Sequence, residues 1–220
     1  HIEHTPGPRI FEASADGPII PPASTAAERF AAALRRASAS DAEVDRRGFW
    51  VGSAGPLKEV FPDTFLSPVG SEGVKLTAAR GESESVQLTV TAVADQPTVN
   101  VSVSPWTNSD GKKLPARTSE VFLVHYEKDL QTVPRAPERE WWPEALVPAE
   151  TFNVPAGQTR SAWLTVRVPH DAAAGDYRSV ATIRSGNSSV AVPLKLHVYD
   201  FELPQVSSLA NDFWFTVREV

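Results

Sequence analysis

Short segments in which apolar and polar residues alternate recur from Phe49 to Tyr199, and this two-residue period is the strongest constraint on the fold. Alternation places one set of side chains on a core and the other in solvent, as in β-strands. Because no helical crossovers separate the segments, we predict a mainly β chain folded as an antiparallel β-sandwich of the immunoglobulin or jelly-roll kind. The predicted strands are Phe49–Val51, Val74–Ala78, Val86–Thr91, Val99–Ser104, Val121–Tyr126, Trp163–Val168, Tyr177–Ile183, Val190–Val192 and Leu194–Tyr199.

Prolines and turn residues separate these segments. The chain has 19 prolines but only 12 glycines. Since proline cannot donate to a sheet ladder, it favours strand ends and edges. Gly186-Asn187 predicts a hairpin turn between two strands, and the stretch from about Lys128 to Ala149 is predicted to be irregular. The prolines that follow predicted strands are Pro105, Pro155, Pro169 and Pro193.

One helix is predicted before the strands. Thr25 and Glu28 have the spacing of a capping box, and Phe30, Leu34 and Ala37 share one helical face. We therefore divide the chain into an extended lead with a short helix attached to the sandwich (1–47), the sandwich (48–204), and a linker that begins a further strand (205–220). The apolar run at 209–215 has no partner strand after it, so we expect it to belong to a larger protein.

Composition excludes several classes of function. The formal net charge is -6, which argues against a nucleic-acid partner. No apolar run approaches the roughly 18 residues of a membrane span. The chain has no cysteine, and its histidines lack the spacing of metal ligands, so we predict no metal and no cofactor. These histidines are His1, His4, His125, His170 and His197.

Catalytic residues are not predicted in this chain. No nucleophile elbow or phosphate-binding loop occurs. Hydrolysis of a glycoside requires two carboxylates on a rigid frame, and we interpret Glu82 and Glu84 as a solvated pair at a strand start. Glu138, Glu140 and Glu144 lie in the predicted irregular stretch, where a catalytic pair would be poorly positioned.

Tryptophans are the remaining candidates for contact with a ligand or partner. Trp141 and Trp142 lie in the irregular stretch, and Trp106 follows a strand end. Exposed indoles serve as platforms for sugar rings or fill domain interfaces, and we favour the interface. Glu144 and Trp214 complete the set of candidate interface or sugar-contacting residues.

Several segments together resemble a known family. The run Ala79–Leu88 is similar to the A-R-x-E-x-E-x-x-Q-L run in the N-terminal sandwich of glycoside hydrolase family 123 and its uncharacterised relatives. The segment Trp142–Pro148 resembles their W-P-D-x-L-x-P loop, with Glu144 where aspartate is usual. Later blocks match in order: Trp163–Val166, Val168–Asp171, Ala174–Tyr177 and Val198–Pro204.

The resemblance implies a fold and a partner. In that family the sandwich precedes a (β/α)₈ barrel, which holds a catalytic Asp-Glu pair for retaining, substrate-assisted cleavage with the substrate acetamido group as nucleophile. No catalytic residue carries over to this chain, and residues 205–220 are interpreted as a linker and the first strand of that barrel. We expect a bacterial protein that is secreted or located at the cell surface.

Three hypotheses follow. The first is a non-catalytic accessory domain that buttresses the catalytic barrel of the same parent protein, packed around Trp141 and Trp142. The second is an independent carbohydrate-binding module with Trp106, Trp141 or Trp142 as stacking platforms. The third is a structural or adhesive sandwich domain that binds protein.

Overall fold

The computed structural model describes residues 24–40, 44–128 and 141–206, and it is mainly β. Two helices precede the strands: α1 (Ser24–Ser40) and α2 (Val44–Arg47). The first six strands are β1 (Phe49–Ala54), β2 (Val74–Arg80), β3 (Ser83–Ala92), β4 (Gln96–Val103), β5 (Thr107–Asn108) and β6 (Ser119–Lys128). The others are β7 (Trp141–Pro148), β8 (Phe152–Val154), β9 (Thr159–Arg167), β10 (Gly175–Ser185) and β11 (Ser188–Glu202).

The strands form two sheets, which confirms the predicted sandwich. Sheet A has the order β1-β3-β9-β6-β7, and all of its pairs are antiparallel. Sheet B has the order β2-β11-β10-β4-β8, and β5 also pairs with β10. One pair in sheet B, β2 with β11, is parallel. The predicted antiparallel sandwich is therefore confirmed, and this pair is an exception within it.

The core lies between the sheets and follows the alternation seen in the sequence. In β11, Leu194, Leu196 and Val198 are buried, whereas Tyr199 is exposed. In sheet A, Leu88 of β3 is fully buried in the same core cluster. Burial of one set of alternate side chains fixes the register, because a one-residue slip would turn that set to solvent.

Helix α1 packs on the sandwich, as predicted. Its apolar residues contact Trp50 of β1 in a second, smaller cluster. The ring of Phe30 stacks on the Trp50 indole with centroids 6.1 Å apart and meets Phe65 edge-on at 5.2 Å. The Trp50 Nε1–H donates to the Leu66 carbonyl at 2.8 Å. None of the helices described is long and apolar enough to span a membrane.

Two local predictions about strands are wrong. Residues 141–148 form β7 instead of a loop; β7 pairs with β6 at the edge of sheet A. Its pairing shifts register at Glu144, and prolines are tolerated at edges and bulges. The two segments at 190–199 are one strand, β11, which runs through Pro193. Pairing of β11 with β2 starts only at Leu194, so Pro193 precedes the parallel ladder.

Candidate functional site

Trp106 lies inside the domain. Its side chain is 1% exposed, and its Nε1–H donates to Ser119 Oγ at 2.8 Å. The Trp106 carbonyl accepts a hydrogen bond from the backbone N–H of Leu114, which joins the same core. The prediction of an exposed indole at this position is wrong, because the chain after Trp106 folds back over it.

The tryptophan pair of β7 also differs from the expectation of two exposed platforms. Trp142 is buried, and its indole meets the ring of Phe61 edge-on, with centroids 5.4 Å apart. Trp141 is half-buried and lies opposite Lys128 in the β6–β7 pairing. Trp142 thus attaches the loop after β1 to β7. Glu144 is exposed at the bulge, and Trp214 lies outside the described residues.

The loop between β1 and β2 is held against sheet A by buried polar groups. Gln87 of β3 is 2% exposed. Its amide nitrogen donates to the carbonyls of Gly55 at 3.0 Å and Lys58 at 2.6 Å. Its amide oxygen accepts a hydrogen bond from Ser161 Oγ at 2.8 Å. The Tyr126 hydroxyl donates to the Val60 carbonyl at 2.6 Å. Burial raises the pKa of Tyr126 above its usual range, so the phenol stays a donor.

A groove of about 250 Å³ lies between this loop and β7. Leu57, at its rim, is 98% exposed, and Leu146 on β7 is 44% exposed. Two carboxylates, Glu59 and Glu144, line the groove. Both are exposed, and neither has a hydrogen-bond partner among the described residues. A catalytic pair requires carboxylates held rigidly by neighbouring groups, and this groove does not supply that support.

The other acidic residues named above have structural roles or lie outside the described residues. Glu82 accepts the backbone N–H of Ala79 at 2.7 Å and so closes the β2–β3 turn. Glu84 lies at the start of β3 opposite Val166, and both glutamates are partly exposed. Glu138 and Glu140 are not described.

The two described histidines that lie in strands each have a carboxylate nearby. His197 Nδ1 lies 2.6 Å from Asp176 Oδ1, and His125 Nε2 lies 3.5 Å from Glu127 Oε1. No group of three or more potential metal ligands occurs in the described part of the chain.

Exposed apolar side chains gather where β11 leaves the sandwich. Tyr199 is 42% and Phe201 54% exposed, and their rings stack at 5.7 Å; Leu203 and Val206 follow. The Leu203 backbone N–H donates to the Arg80 carbonyl, which holds this exit beside β2. These four residues, Tyr199, Phe201, Leu203 and Val206, form a surface that we call the exit patch, and it was not predicted from the sequence. Continuing the alternation of β11 beyond Val198 would have placed the rings of Tyr199 and Phe201 on the face of the sheet that points away from the core.

A family model described as the glycoside hydrolase 123 N-terminal domain matches residues 66–185, more than half of the chain. No curated protein sequence matches. A solved family 123 glycoside hydrolase from Clostridium perfringens, described for hydrolysis of glycolipid glycans, is similar with a TM-score of 0.61 and 14% identity. The likeness covers 71% of this chain and 28% of that chain, so this chain corresponds to less than a third of that enzyme.

Two further solved structures resemble the sandwich weakly. A FixG-related protein from Vibrio parahaemolyticus has a TM-score of 0.35 and 8% identity over 69% of this chain and 96% of that chain. The CooA pilin subunit from enterotoxigenic Escherichia coli has a TM-score of 0.37 and 10% identity over 70% of this chain and 99% of that chain. Neither bears on function.

Proposed function

The chain belongs to the glycoside hydrolase 123 N-terminal domain family, and from this we propose that it is a non-catalytic accessory domain of a glycoside hydrolase. The family match over residues 66–185 is the observation that carries the proposal. The fold likeness to a family 123 enzyme, in which the sandwich corresponds to a minor part of the chain, is consistent with it.

The arrangement of carboxylates supports the non-catalytic role. Glu59 and Glu144 line one groove but are exposed and lack supporting hydrogen bonds among the described residues. Glu82 is engaged in a turn. Side chains that perform acid–base catalysis are normally fixed by neighbouring hydrogen bonds and packing. The sandwich therefore acts as a scaffold, and the reactive groups belong to a catalytic barrel of the same polypeptide.

Three residues of the exit patch, Phe201, Leu203 and Val206, form the surface that this barrel contacts. Polypeptide that continues from Val206 starts at the patch, so a following domain lies beside it. Phe201 and Val206 are 54% and 81% exposed. Apolar contacts between neighbouring domains are the ordinary way to cover such side chains. The predicted packing through Trp141 and Trp142 is replaced here by the exit patch, because Trp142 is already covered by Phe61.

Reading the gene beyond Val220 tests the proposal. We expect an open reading frame that encodes alternating strands and helices of a barrel, with an acidic pair at the end of a strand. A stop codon directly after Val220 would refute the accessory role.

In the full-length polypeptide, the double change Phe201→Ser and Leu203→Ser is expected to loosen the contact between the domains and increase protease cleavage near residue 206. Val180→Ser is the matched control, because Val180 is also an exposed apolar residue of sheet B but lies away from the exit. Equal cleavage in both variants would exclude the exit patch as the contact.

A further inference from the structure

Three neighbouring strands of sheet B place positive charges in one row. Lys195 of β11 lies opposite Lys75 of β2 on one side and opposite Arg178 of β10 on the other. Like charges directly opposite one another destabilise a sheet. In a chain with a net charge of -6, such a row is not a consequence of a generally basic surface. It identifies a position where an anion would be stabilised.

The row has little internal compensation. Glu72 accepts a hydrogen bond from Lys195 Nζ at 2.9 Å and lies 4.0 Å from Lys75 Nζ. This hydrogen bond, together with the charges of both lysines, lowers the pKa of Glu72. Arg178 is exposed, and its guanidinium has no hydrogen bond or ion pair to any residue that the structure describes. Within this row, one carboxylate thus faces three cations; the carboxylate of Asp176 lies in the next row and is paired with His197.

The row borders a groove of about 270 Å³ on the outer face of sheet B. The next row along the strands contains Thr77, His197 and Asp176. His197 Nδ1 is 2.6 Å from Asp176 Oδ1, which orients the imidazole. Beyond it, the ring of Tyr199 meets the imidazole edge-on with centroids 5.0 Å apart. The groove therefore combines cations with hydroxyl, imidazole and carboxylate groups, and the exposed ring of Tyr199 lies outside it, next to His197.

We propose that this face of sheet B binds an anionic glycan, with a carboxylate or sulfate group over Lys75, Lys195 and Arg178. Successive rows on one face are about 7 Å apart along the strands. A ligand that spans both rows and reaches the ring of Tyr199 must carry an anion, hydroxyl groups and an apolar ring face, and a charged sugar has all three. The groove is slightly smaller than the roughly 300–1,000 Å³ of pockets for drug-sized ligands, which suits one or two sugar rings.

This binding goes beyond the accessory role and does not depend on it. The accessory role rests on the family match and the exit patch, whereas glycan binding rests on the row of Lys75, Lys195 and Arg178. A missing barrel in the gene would leave glycan binding intact, and a failure to bind glycan would leave the accessory role intact.

Isothermal titration calorimetry on the 220-residue chain tests the proposal with four probes. These are an oligogalacturonide (carboxylate), a dextran sulfate oligosaccharide (sulfate), a neutral dextran oligosaccharide and inorganic sulfate. We expect at least one charged oligosaccharide to bind tenfold or more tightly than both the neutral sugar and inorganic sulfate. The charged probe that binds identifies the anion. Inorganic sulfate binding as tightly as the charged sugars would refute recognition of a glycan.

Matched variants locate the site. Arg178→Ser is expected to weaken binding of the charged oligosaccharide at least fivefold. Arg184→Ser is the control; Arg184 is exposed on the same strand, six residues and so about 20 Å away on the same face. The control should change affinity less than twofold. Equal losses in both variants would show attraction to net charge alone and would overturn the site.

A third variant tests the contact with the aromatic ring. Tyr199→Ala is expected to weaken binding of the charged oligosaccharide but not of inorganic sulfate. Thermal unfolding of each variant checks the fold, and Arg178→Gln replaces Arg178→Ser if the serine variant is unstable. Absence of binding by the wild-type chain to either charged oligosaccharide would refute the proposal outright.

Discussion

Gly73 shows how a single residue permits the one parallel pairing among the strands that the structure describes. It precedes β2 with φ +69°, and a Cβ built on it would lie 2.0 Å from the carbonyl oxygen of Pro193. Backbone of β11 therefore passes directly against this glycine, where no side chain fits. Only glycine satisfies both the left-handed conformation and the close approach.

We expect Gly73→Ala to lower the free energy of unfolding by about 2–4 kcal/mol, because it adds backbone strain to a clash with Pro193. Gly70→Ala is the matched control, since a Cβ at Gly70 meets nothing within 4 Å. Its effect should stay within about 0.5 kcal/mol. Urea unfolding followed by tryptophan fluorescence measures both. Similar stabilities for the two variants would contradict the close approach of β11.

Individual side chains also show which features could be predicted from the sequence and which could not. The alternation correctly assigned buried residues such as Leu196, because burial on one face leaves a local pattern. Trp106 was misassigned because its cover comes from Ser119 and Leu114, which are later in the chain. The sequence marked Gln87 only as part of the run that resembles the family. Its role in holding the loop was not predictable, because its partners Gly55 and Lys58 lie about 30 residues away.

At the scale of elements, α1 is the part of the structure that local sequence predicted best. Phe30, Leu34 and Ala37 were assigned to one face, and all three join the cluster around Trp50. The helix begins at Ser24 and ends at Ser40, whereas α2, which follows, was not predicted. Four residues carry too little periodicity to be recognised as a helix.

Phe30→Ala should release α1 from the sandwich, because it removes the ring that packs on both Trp50 and Phe65. We expect the stability of α1 to fall by about 1–3 kcal/mol. Hydrogen exchange measured by mass spectrometry should accelerate in residues 24–40 and remain unchanged in β9 and β10. Arg35→Ala, exposed on the same helix, is the control. Uniform acceleration over the whole chain would show that α1 is part of the main core.

Strand β7 was missed for a physical reason. Pro143, Glu144 and Pro148 interrupt the alternation, and prolines are typical of loops. They are tolerated here because β7 is an edge strand with a bulge at Glu144. The pairing of β2 with β11 was missed for another reason: its partners are about 120 residues apart, so no local pattern reports it.

At the scale of the whole molecule, the described residues form a β-sandwich with two notable features on its surface. Exposed apolar residues gather at the exit of β11, and opposed cations lie on the outer face of sheet B. The fold class was predictable, since it depends on alternation repeated along the chain. Neither surface feature was predictable, because each arises from the relative positions of strands. The predicted division of the chain into 1–47, 48–204 and 205–220 stays a prediction, and so does the secreted or cell-surface location.

Hydrolysis by the isolated chain tests the central claim most directly. The purified 220-residue protein is incubated with a panel of aryl glycosides that includes aryl N-acetylhexosaminides, and release of the aryl group is followed. We expect the aryl group to be released at the rate of the buffer blank, and at the same rate in the Glu59→Gln and Glu144→Gln variants. Hydrolysis above the blank that either substitution abolishes would contradict it.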